Sequence, residues 1–521
     1  MKYGSSYQLR LCTIILAGIV LRVWFWNSTH LVLEDALITF RYADNLAGGN
    51  GFVYNAGEKI LGTTTPLWTL ILATGKLFGF DLFSLCNILN IFLDSLTCWL
   101  MASILSRYAQ TLALLWALLF TCAPDIIPIS MSGMETSLLL FAMSLTLWGA
   151  VRKNWFFVFG IMVALMTRMD SAIWIACVIG CGLFTDRWWF LIHGLTGFLL
   201  CLPWAVFSRF YFGTLIPESL AAKMTSYHFD LKGSLLPFLN YFTPVLETSF
   251  WKLIVKNLTT ILMIAGLYRL IREKGWLILF PLFFITYCLL FIFSGRLMFT
   301  WYIIPAIFCW LVFVATGIQF FGEKLFHRFT SAGVRYPIIG AALMMIIVAH
   351  TIFLEARTSK YREEQECNET VRKRIGLWLH AHAGPGSVVL LEPLGYIGYY
   401  AGDSVRIYDE IGLVSPEVLS CQKSGSGWYG SILQNVRPDF VVQYSYALDV
   451  NRVEGTGRPL FAGGEDKNRF YRDYQPAARF DFSDRYLGIE AKEKKFFIFR
   501  RGGSPQQLPP ESFSALSRGR Q

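Results

Sequence analysis

Glu34-Asp-Ala-Leu-Ile-Thr-Phe-Arg-Tyr-Ala-Asp-Asn-Leu-Ala-Gly-Gly-Asn-Gly-Phe-Val-Tyr-Asn-Ala-Gly-Glu-Lys59 lies just past an apolar run, Leu11 to Trp26, that is broken only by Arg22. Lys2 and Arg10 precede the run, and no small-x-small cleavage site stands before Asn27 and Ser28. It therefore reads as an uncleaved membrane span and not as a signal peptide. Two adjacent carboxylates, Glu34 and Asp35, then stand just beyond a membrane surface. They open a segment in which Ala36, Ile38, Phe40 and Ala43 form one imperfect apolar set, the pattern of an amphipathic helix. Adjacent carboxylates raise the pKa of one of the pair. One of them is then a candidate general base for an acceptor hydroxyl. The plainer alternative is that both simply favour the positive end of a helix. Arg41 and Tyr42 follow one to two turns on, and Gly48, Gly49 and Gly51 punctuate a turn. No Gly-Lys-Ser/Thr follows, so the turn is not a phosphate loop.

Working outward, the rest of the chain keeps the same character. Of 521 residues 54% are hydrophobic and 16% charged, where a soluble domain carries about a quarter charged residues. A bilayer-spanning helix needs about 20 apolar residues. Candidate spans are 11–28, 86–105, 110–124, 136–151, 154–168, 171–185, 188–207, 252–270, 276–294, 298–317 and 336–354. Basic clusters alternate with them: Lys2 and Arg10, Arg107, Arg152 with Lys153, Arg187, Arg269 with Arg272 and Lys274, and Lys324 with Arg328 and Arg335. The positive-inside rule places these in the cytoplasm. The same rule accounts for the net charge of +10 without invoking nucleic acid, for which no basic, aromatic-interleaved stripe exists. Pro66 to Phe80 is short and contains Lys76, so it is expected as a re-entrant or interfacial helix packed in protein. The expected topology has a cytoplasmic N-terminus, an outer first loop over 29–65, and everything after 355 on the outer side.

Composition changes after Leu354. Residues 355–375 are charged and helical in flavour. Ser387 to Glu392, Val405 to Tyr408, Phe440 to Val442 and Phe496 to Phe499 read as strands among helical stretches, which suggests a small α/β domain over 355–500. Residues 501–521 are rich in Ser, Pro, Gly and Gln and read as a disordered tail. Of the eleven cysteines, nine lie in or beside apolar segments and read as small buried hydrophobes. Cys367 and Cys421 lie in the soluble part and could pair in an oxidising compartment.

Other chemistry-bearing residues lie on the same expected outer side. Glu135, in Gly133-Met-Glu-Thr136, enters a span and is either a helix cap or a site residue. Arg168 and Asp170 break the apolar stretch 156–184. A charged pair at that depth is costly and marks a site or a mutual partner. The loop Arg209 to Lys223 gathers Arg209, Tyr211, Ser219 and Lys223. With Arg168 and Arg296 it could clamp a phosphate, although any one cation could equally snorkel to the interface. His228 stands in the same outer loop, and no HExxH, nucleophile elbow or metal-spaced Cys/His set occurs.

These motifs together resemble the GT-C superfamily of membrane glycosyltransferases, and within it the terminal arabinofuranosyltransferases of mycobacterial cell walls and their relatives. That group shows D-D-A-x-I-S-F-R-Y-A-x-N-L-x-x-G-x-G-L-V-x-N-x-G-E, then a Thr-rich turn and P/F-L-W-T; here the stretch reads EDALITFRYADNLAGGNGFVYNAGEKILGTTTPLWTL. Gly133 to Thr136, Thr167 to Asp170 and Tyr211 to Lys223 are similar to its G-M-E-T, T-R-P-D/E and Y-x-G-x-x-x-P-N-x-x-x-x-K patterns. The likeness covers about residues 11–225 and returns faintly at Glu392 to Tyr399 and at Glu410 to Leu413. Three departures stand out: Glu34 in place of Asp, Met169 in place of Pro, and Glu218 in place of Asn.

The resemblance implies an α-helical polytopic membrane protein with about 11–13 transmembrane helices and a small extracytoplasmic α/β domain, set in a bacterial inner membrane. The donor would be a polyprenyl-phosphate sugar, arabinofuranose in the nearest likeness, and the acceptor an outward glycan or glycosylated protein. Asp35, with Glu34 beside it, would act as base. Arg41, Arg168, Lys223 and Arg296 would meet the donor phosphate. Tyr42, Asn45, Glu135, Asp170, Arg209, Tyr211 and Ser219 would contact substrate. A divalent metal between Glu34, Asp35 and phosphate fits the ligand types, though no clear protein ligand set accompanies it. The rival class is a flippase of lipid-linked sugar. Many transporters repeat their halves, whereas this chain concentrates its motifs in the first half.

Overall fold

The structure is a computed structural model that describes residues 5–226, 231–243, 250–273, 275–295, 299–328, 332–423, 427–448, 460–481 and 495–502. Arg296, His228 and nearly all of the tail lie outside the described residues.

Sixteen helices come first in the chain: α1 (Ser5–Thr29), α2 (Glu34–Ala47), α3 (Pro66–Leu77), α4 (Leu82–Leu105), α5 (Gln110–Thr121), α6 (Ile126–Ser130), α7 (Thr136–Arg152), α8 (Phe156–Thr167), α9 (Ser171–Leu199), α10 (Leu202–Tyr211), α11 (Glu218–Ser226), α12 (Leu231–Phe242), α13 (Phe250–Arg272), α14 (Leu279–Phe293), α15 (Thr300–Arg328) and α16 (Ala332–Cys367). Two compact units emerge. The first comprises Met1–Tyr54, Leu61–Pro217 and Tyr227–Glu366, and the second Asn55–Ile60, Glu218–Ser226 and Cys367 onward.

In the first unit, six helical segments among the described residues are long and apolar enough to cross a bilayer. They start at Ser5, Leu82, Ser171, Lys252, Trp276 and Thr300. The apolar window of the last is 78% buried while that of the segment from Ser171 is 17% buried, which makes α15 central and α9 peripheral. The core is aromatic. Trp116 stacks on Phe120 at 4.9 Å, Phe308 meets Trp116 edge-on at 5.5 Å, and Trp174 meets Phe283 edge-on at 5.0 Å. The two spans that the sequence divides near residue 186 are two helical stretches of α9 that meet at a kink. Its backbone leaves helical geometry only at Asp186 (φ −161°), whose carboxylate meets Lys153 Nζ at 2.8 Å. The helix α3 has 12 residues, about 18 Å of length, and packs against α2.

Arg22 is the residue that interrupts the first apolar run, and its counterion is on another helix. Arg22 Nε donates to Asp94 Oδ2 of α4 at 2.6 Å, and both side chains are 2% exposed. Ser130 Oγ of α6 donates to the same oxygen at 2.8 Å, while Arg22 Nη1 reaches the Gly18 and Thr121 carbonyls, each at 3.2 Å. The pair thus ties α1, α4, α5 and α6 together.

The second unit continues with α17 (Lys373–His382), β1 (Val388–Leu391), α18 (Leu394–Ala401), β2 (Arg406–Asp409), α19 (Pro416–Lys423), α20 (Trp428–Val436), β3 (Phe440–Tyr444), α21 (Gly464–Asp473), β4 (Tyr474–Asp481) and β5 (Lys495–Arg501). The sheet order is β2-β1-β3-β5-β4. The first three strands are parallel, and β5 and β4 add antiparallel. Parallel strands need a helical crossover, and α18 supplies it between β1 and β2. Val389, Leu390 and Leu391 are fully buried, as a parallel strand covered on both faces requires. The edge strand β2 is covered by the end of the first loop. Asn55 Nδ2 donates to the Ile407 carbonyl at 2.9 Å and Asn55 Oδ1 accepts from Ile407 N at 3.0 Å. One amide side chain therefore does what a neighbouring strand would do. Glu58 accepts from Asn55 at 2.9 Å and pairs with Arg406. All eleven cysteines are thiols; Cys421 is buried, with its sulfur 3.5 Å from Asn435 Nδ2.

Removing one partner of a buried ion pair leaves an uncompensated charge and costs about 3–5 kcal/mol. Asp94→Ala is therefore expected to destabilise the protein by that amount, with Arg22→Met/Asp94→Leu recovering most of it. Thermal melts in detergent decide the point: equal melting temperatures for the single and double variants would refute the pairing.

Candidate functional site

The acidic pair opens α2. Its N-cap, Leu33, makes no side-chain capping bond, and Glu34 and Asp35 occupy the first turn, where the helix dipole favours negative charge. Both side chains are half-buried, and the rest of α2 is buried on nearly every side: Ala36 to Ala43 and Asn45. This differs from the amphipathic surface helix the sequence suggests. The physical reason is a cover of neighbouring segments. Phe40 meets Phe83 of α4 edge-on at 5.2 Å, and the Gly133 segment lies across the first turn.

That segment is fixed from three helices. Leu33 N donates to the Ser132 carbonyl at 3.0 Å, Trp68 Nε1 of α3 donates to the Gly133 carbonyl at 3.1 Å, and Asn90 Nδ2 of α4 donates to the Ser130 and Met134 carbonyls at 2.8 and 3.1 Å. Gly133 has φ +85°, and a Cβ there would lie 3.0 Å from Ala36 Cβ and 3.2 Å from Phe40 Cζ. Only glycine accepts both the backbone sign and the approach. Two residues later Glu135, in the loop ahead of α7, is 4% exposed. Burial pushes its carboxyl up, the nearby Arg168 guanidinium pulls it down, and the charges of Asp170 and Asp35 push it up further.

Arg168 sits at the corner between α8 and α9, 3% exposed. Its fork closes on Asp170, Nε to Oδ1 at 3.0 Å and Nη2 to Oδ2 at 2.6 Å. Nη1 donates to the Trp301 carbonyl at 3.2 Å, Cζ lies 4.7 Å from the Tyr302 ring centre, and Glu135 is 3.9 Å away. The Tyr287 hydroxyl lies 2.9 Å from Asp170 Oδ2 and 2.8 Å from the Tyr302 carbonyl oxygen. The first unit therefore gathers Glu135, Arg168, Asp170 and Tyr287 into one connected group. Sequence reasoning missed Tyr287, Tyr302, Asn90 and Trp68. The only signal available was a polar or amphipathic side chain inside an apolar helix.

Other expected site residues hold the first loop. Arg41 Nε donates to the Tyr54 carbonyl at 2.9 Å beneath the Tyr54 ring. Asn45 Nδ2 reaches the Val53 and Tyr54 carbonyls at 3.0 and 2.9 Å, and its Oδ1 accepts from Asn50 at 3.0 Å. The Tyr42 hydroxyl accepts from Gly62 N at 2.9 Å. All three side chains are at most 2% exposed. Arg209 is exposed and donates to the Gly213 carbonyl at 3.0 Å, and Tyr211 stacks on Phe207 at 4.9 Å. Ser219 and Lys223 ride on α11 in the second unit, Ser219 buried and Lys223 half-buried. Among the described residues no group of three or more His, Cys, Asp or Glu side chains could hold a metal ion.

Comparison with known proteins places this geometry. A family model described as "Domain of unknown function (DUF8728)" matches residues 358–499. Over 242 residues, 40% of this chain, the sequence is 27% identical to a terminal beta-(1->2)-arabinofuranosyltransferase of Mycobacterium tuberculosis (strain ATCC 25618 / H37Rv), and the match spans 37% of that protein's length. Among solved structures, ArnT from Cupriavidus metallidurans bound to undecaprenyl phosphate aligns over 85% of this chain and 94% of its own, with a TM-score of 0.51 and 12% identity. The archaeal oligosaccharyltransferase AglB from Archaeoglobus fulgidus, in complex with an inhibitory peptide and a dolichol-phosphate, aligns over 97% of this chain and 75% of its own, with a TM-score of 0.58 and 11% identity. The fold is that of the GT-C membrane glycosyltransferases, as the sequence motifs imply, and the chain is a multi-pass membrane protein.

Left-handed backbone at a residue other than glycine costs about 1–3 kcal/mol. Gly133→Ala is expected to lower stability by at least that much through the added contact with Ala36 and Phe40. Denaturation in detergent measures it, and an unchanged melting temperature would refute the close approach.

Proposed function

We propose that this protein transfers arabinofuranose from a polyprenyl-phosphate donor to an extracytoplasmic glycan or glycosylated acceptor. The observation that carries the proposal is the placement of Glu34 and Asp35 at the head of a buried helix, under the segment that carries Glu135. A carboxylate held that firmly is suited to one proton transfer in one geometry. The GT-C fold and the arabinofuranosyltransferase-like motifs support the same class.

In the proposed step Asp35 takes the proton of the acceptor hydroxyl. The freed oxygen attacks the anomeric carbon, and the bond from that carbon to the phosphate oxygen breaks with its electron pair leaving on the polyprenyl phosphate. The motif resemblance assigns Lys223 to the donor phosphate as a point charge. Arg41 and Arg168 already spend their guanidinium groups on the Tyr54 carbonyl and on Asp170, so they act by positioning. Glu34 and Asp35 would hold a divalent cation through hard oxygen ligands, and it would supply charge that stabilises the departing phosphate. The membrane is the bacterial inner membrane, with a cytoplasmic N-terminus and the α/β domain outside.

A positioned general base is worth about 100-fold or more in rate. Asp35→Asn is therefore expected to lower turnover by about 100-fold with donor binding retained. The assay follows label from decaprenyl-phosphoryl arabinofuranose to an envelope acceptor with protein in nanodiscs. Wild-type turnover in Asp35→Asn would discard the base. Turnover only with another polyprenyl-phosphate sugar would keep the class and discard arabinose. No transfer from any such donor, with labelled lipid scrambled across the bilayer, would replace the transferase by a flippase.

A further inference from the structure

A short connection, Leu31 to Leu33, joins the end of α1 to the acidic pair that opens α2. His30 turns the chain out of α1 with φ +47°, left-handed at a residue other than glycine. Leu31 and Val32 are buried and Leu33 is half-buried. Buried backbone N–H groups must find acceptors, and here each finds a different one. Leu31 N donates to Thr29 Oγ1 at 3.3 Å, Val32 N to Gln365 Oε1 of α16 at 3.1 Å, and Leu33 N to the Ser132 carbonyl at 3.0 Å. The Leu33 carbonyl then accepts from Ala36 N at 3.1 Å, which ties the connection to the first turn of α2.

The face of α16 that brings Gln365 to Val32 is continuous. Leu354, Thr358, Tyr361 and Gln365 are all buried, and their three- and four-residue spacing puts them on one stripe of the helix. Leu354 and Tyr361 share a cluster with Phe25, Leu31, Ile127 and Met131, and Tyr361 meets Phe25 edge-on at 6.4 Å. Beside the stripe, Arg362 Nε donates to the Ser28 carbonyl at 3.0 Å and Arg357 pairs with Asp125. All of these residues belong to the first unit. Apolar packing therefore seats α16 against the end of α1. An apolar side chain at 365 would pack as well, but it would not accept from Val32.

We infer that Gln365 is a positioning residue for the proposed transfer: its side-chain carbonyl fixes the backbone at Val32, and with it the turn that presents Asp35 to the acceptor hydroxyl. This rests on the reading of Asp35 as base given under the proposed function. Gln365 acts through Val32 and not on the reacting atoms.

The test uses full-length protein in nanodiscs, an envelope acceptor, and decaprenyl-phosphoryl arabinofuranose or whichever polyprenyl-phosphate sugar the wild type turns over. Gln365→Met keeps the side-chain length and loses the acceptor, whereas Gln365→Glu keeps the acceptor. A small displacement of a reacting group costs up to about 100-fold, so Gln365→Met is expected to lower kcat about tenfold at unchanged donor KM. Gln365→Glu is expected to restore kcat. Residues acting through one another are non-additive, so Gln365→Met is expected to cost nothing further in an Asp35→Asn background. A loss of folded protein would instead lower both backgrounds alike. Hydrogen exchange at the Val32 amide is a readout independent of the donor, expected to quicken in Gln365→Met and to recover in Gln365→Glu. Gln365→Asn, which draws the acceptor back by one carbon–carbon bond, takes the place of Gln365→Met if that variant does not fold. Wild-type kcat or wild-type Val32 exchange in Gln365→Met overturns the inference. An equal loss in Gln365→Glu, or the full loss again on top of Asp35→Asn, overturns it too. Each of these leaves the base standing where Asp35→Asn alone is slow. Wild-type turnover in Asp35→Asn removes the base and the inference with it.

Discussion

Charge buried in a lipid-spanning bundle must bring its partner along, because no water is there to solvate it. Two charged groups described in the first unit obey this constraint, and much of the helix arrangement follows from them. Arg22 and Asp94 join α1 to α4, with Ser130 and the Thr121 carbonyl adding further bonds. Arg168 and Asp170 pin the corner between α8 and α9 to Tyr287 of α14 and the Trp301 carbonyl of α15. Helices of 12 residues such as α5 and α8 are too short to cross a bilayer of about 30 Å alone. They are tolerable where neighbours bound to these pairs cover their ends.

The same constraint shapes α2. A helix beginning with two carboxylates would ordinarily lie at a surface with its polar side in water. Here Asn90, Trp68 and Leu33 hold the 130–135 segment over its first turn, so the carboxylates sit half-buried while the helix behind them is enclosed. Enclosure removes the rotational freedom a surface helix would keep. Glu135 lies buried beside Arg168, its carboxyl pushed up by burial and pulled down by that cation.

The membrane helices were legible because an apolar run of sufficient length has few alternatives, and the division near residue 186 showed as a kink because Arg187 and Asp186 already broke the run. Strands β1, β2, β3 and β5 were legible as short apolar runs. Strand β4 was not, since its edge position admits Pro476, Arg479 and Asp481, which read as loop. The expected loop from Arg209 to Lys223 runs into α11, whose order comes from its packing on α19. The contributions of Glu135, Arg168 and Asp170 were visible as separate motifs, but their assembly was not. Arg41, Tyr42 and Asn45 show the limit most clearly. On a helix buried on all sides, periodicity cannot say whether a polar side chain faces a ligand or its own loop, and their hydrogen bonds to Tyr54, Gly62 and Val53 answer for the loop.

The length of the first-loop motif has a physical cause in how its two ends are held. Its front half, through Tyr54, is bonded by Arg41 and Asn45 of α2. Its back half begins at the next residue, where Asn55 takes the place of a strand on β2 and Glu58 secures Asn55 and Arg406. A turn needs only a few defined residues, and a base needs one carboxylate. The stretch from Glu34 to Glu58 needs more, because an inserted or deleted residue would disturb either the bonds of Arg41 and Asn45 to Tyr54 or those of Asn55 to Ile407. The motif is long because its spacing, and not only its side chains, sets these bonds.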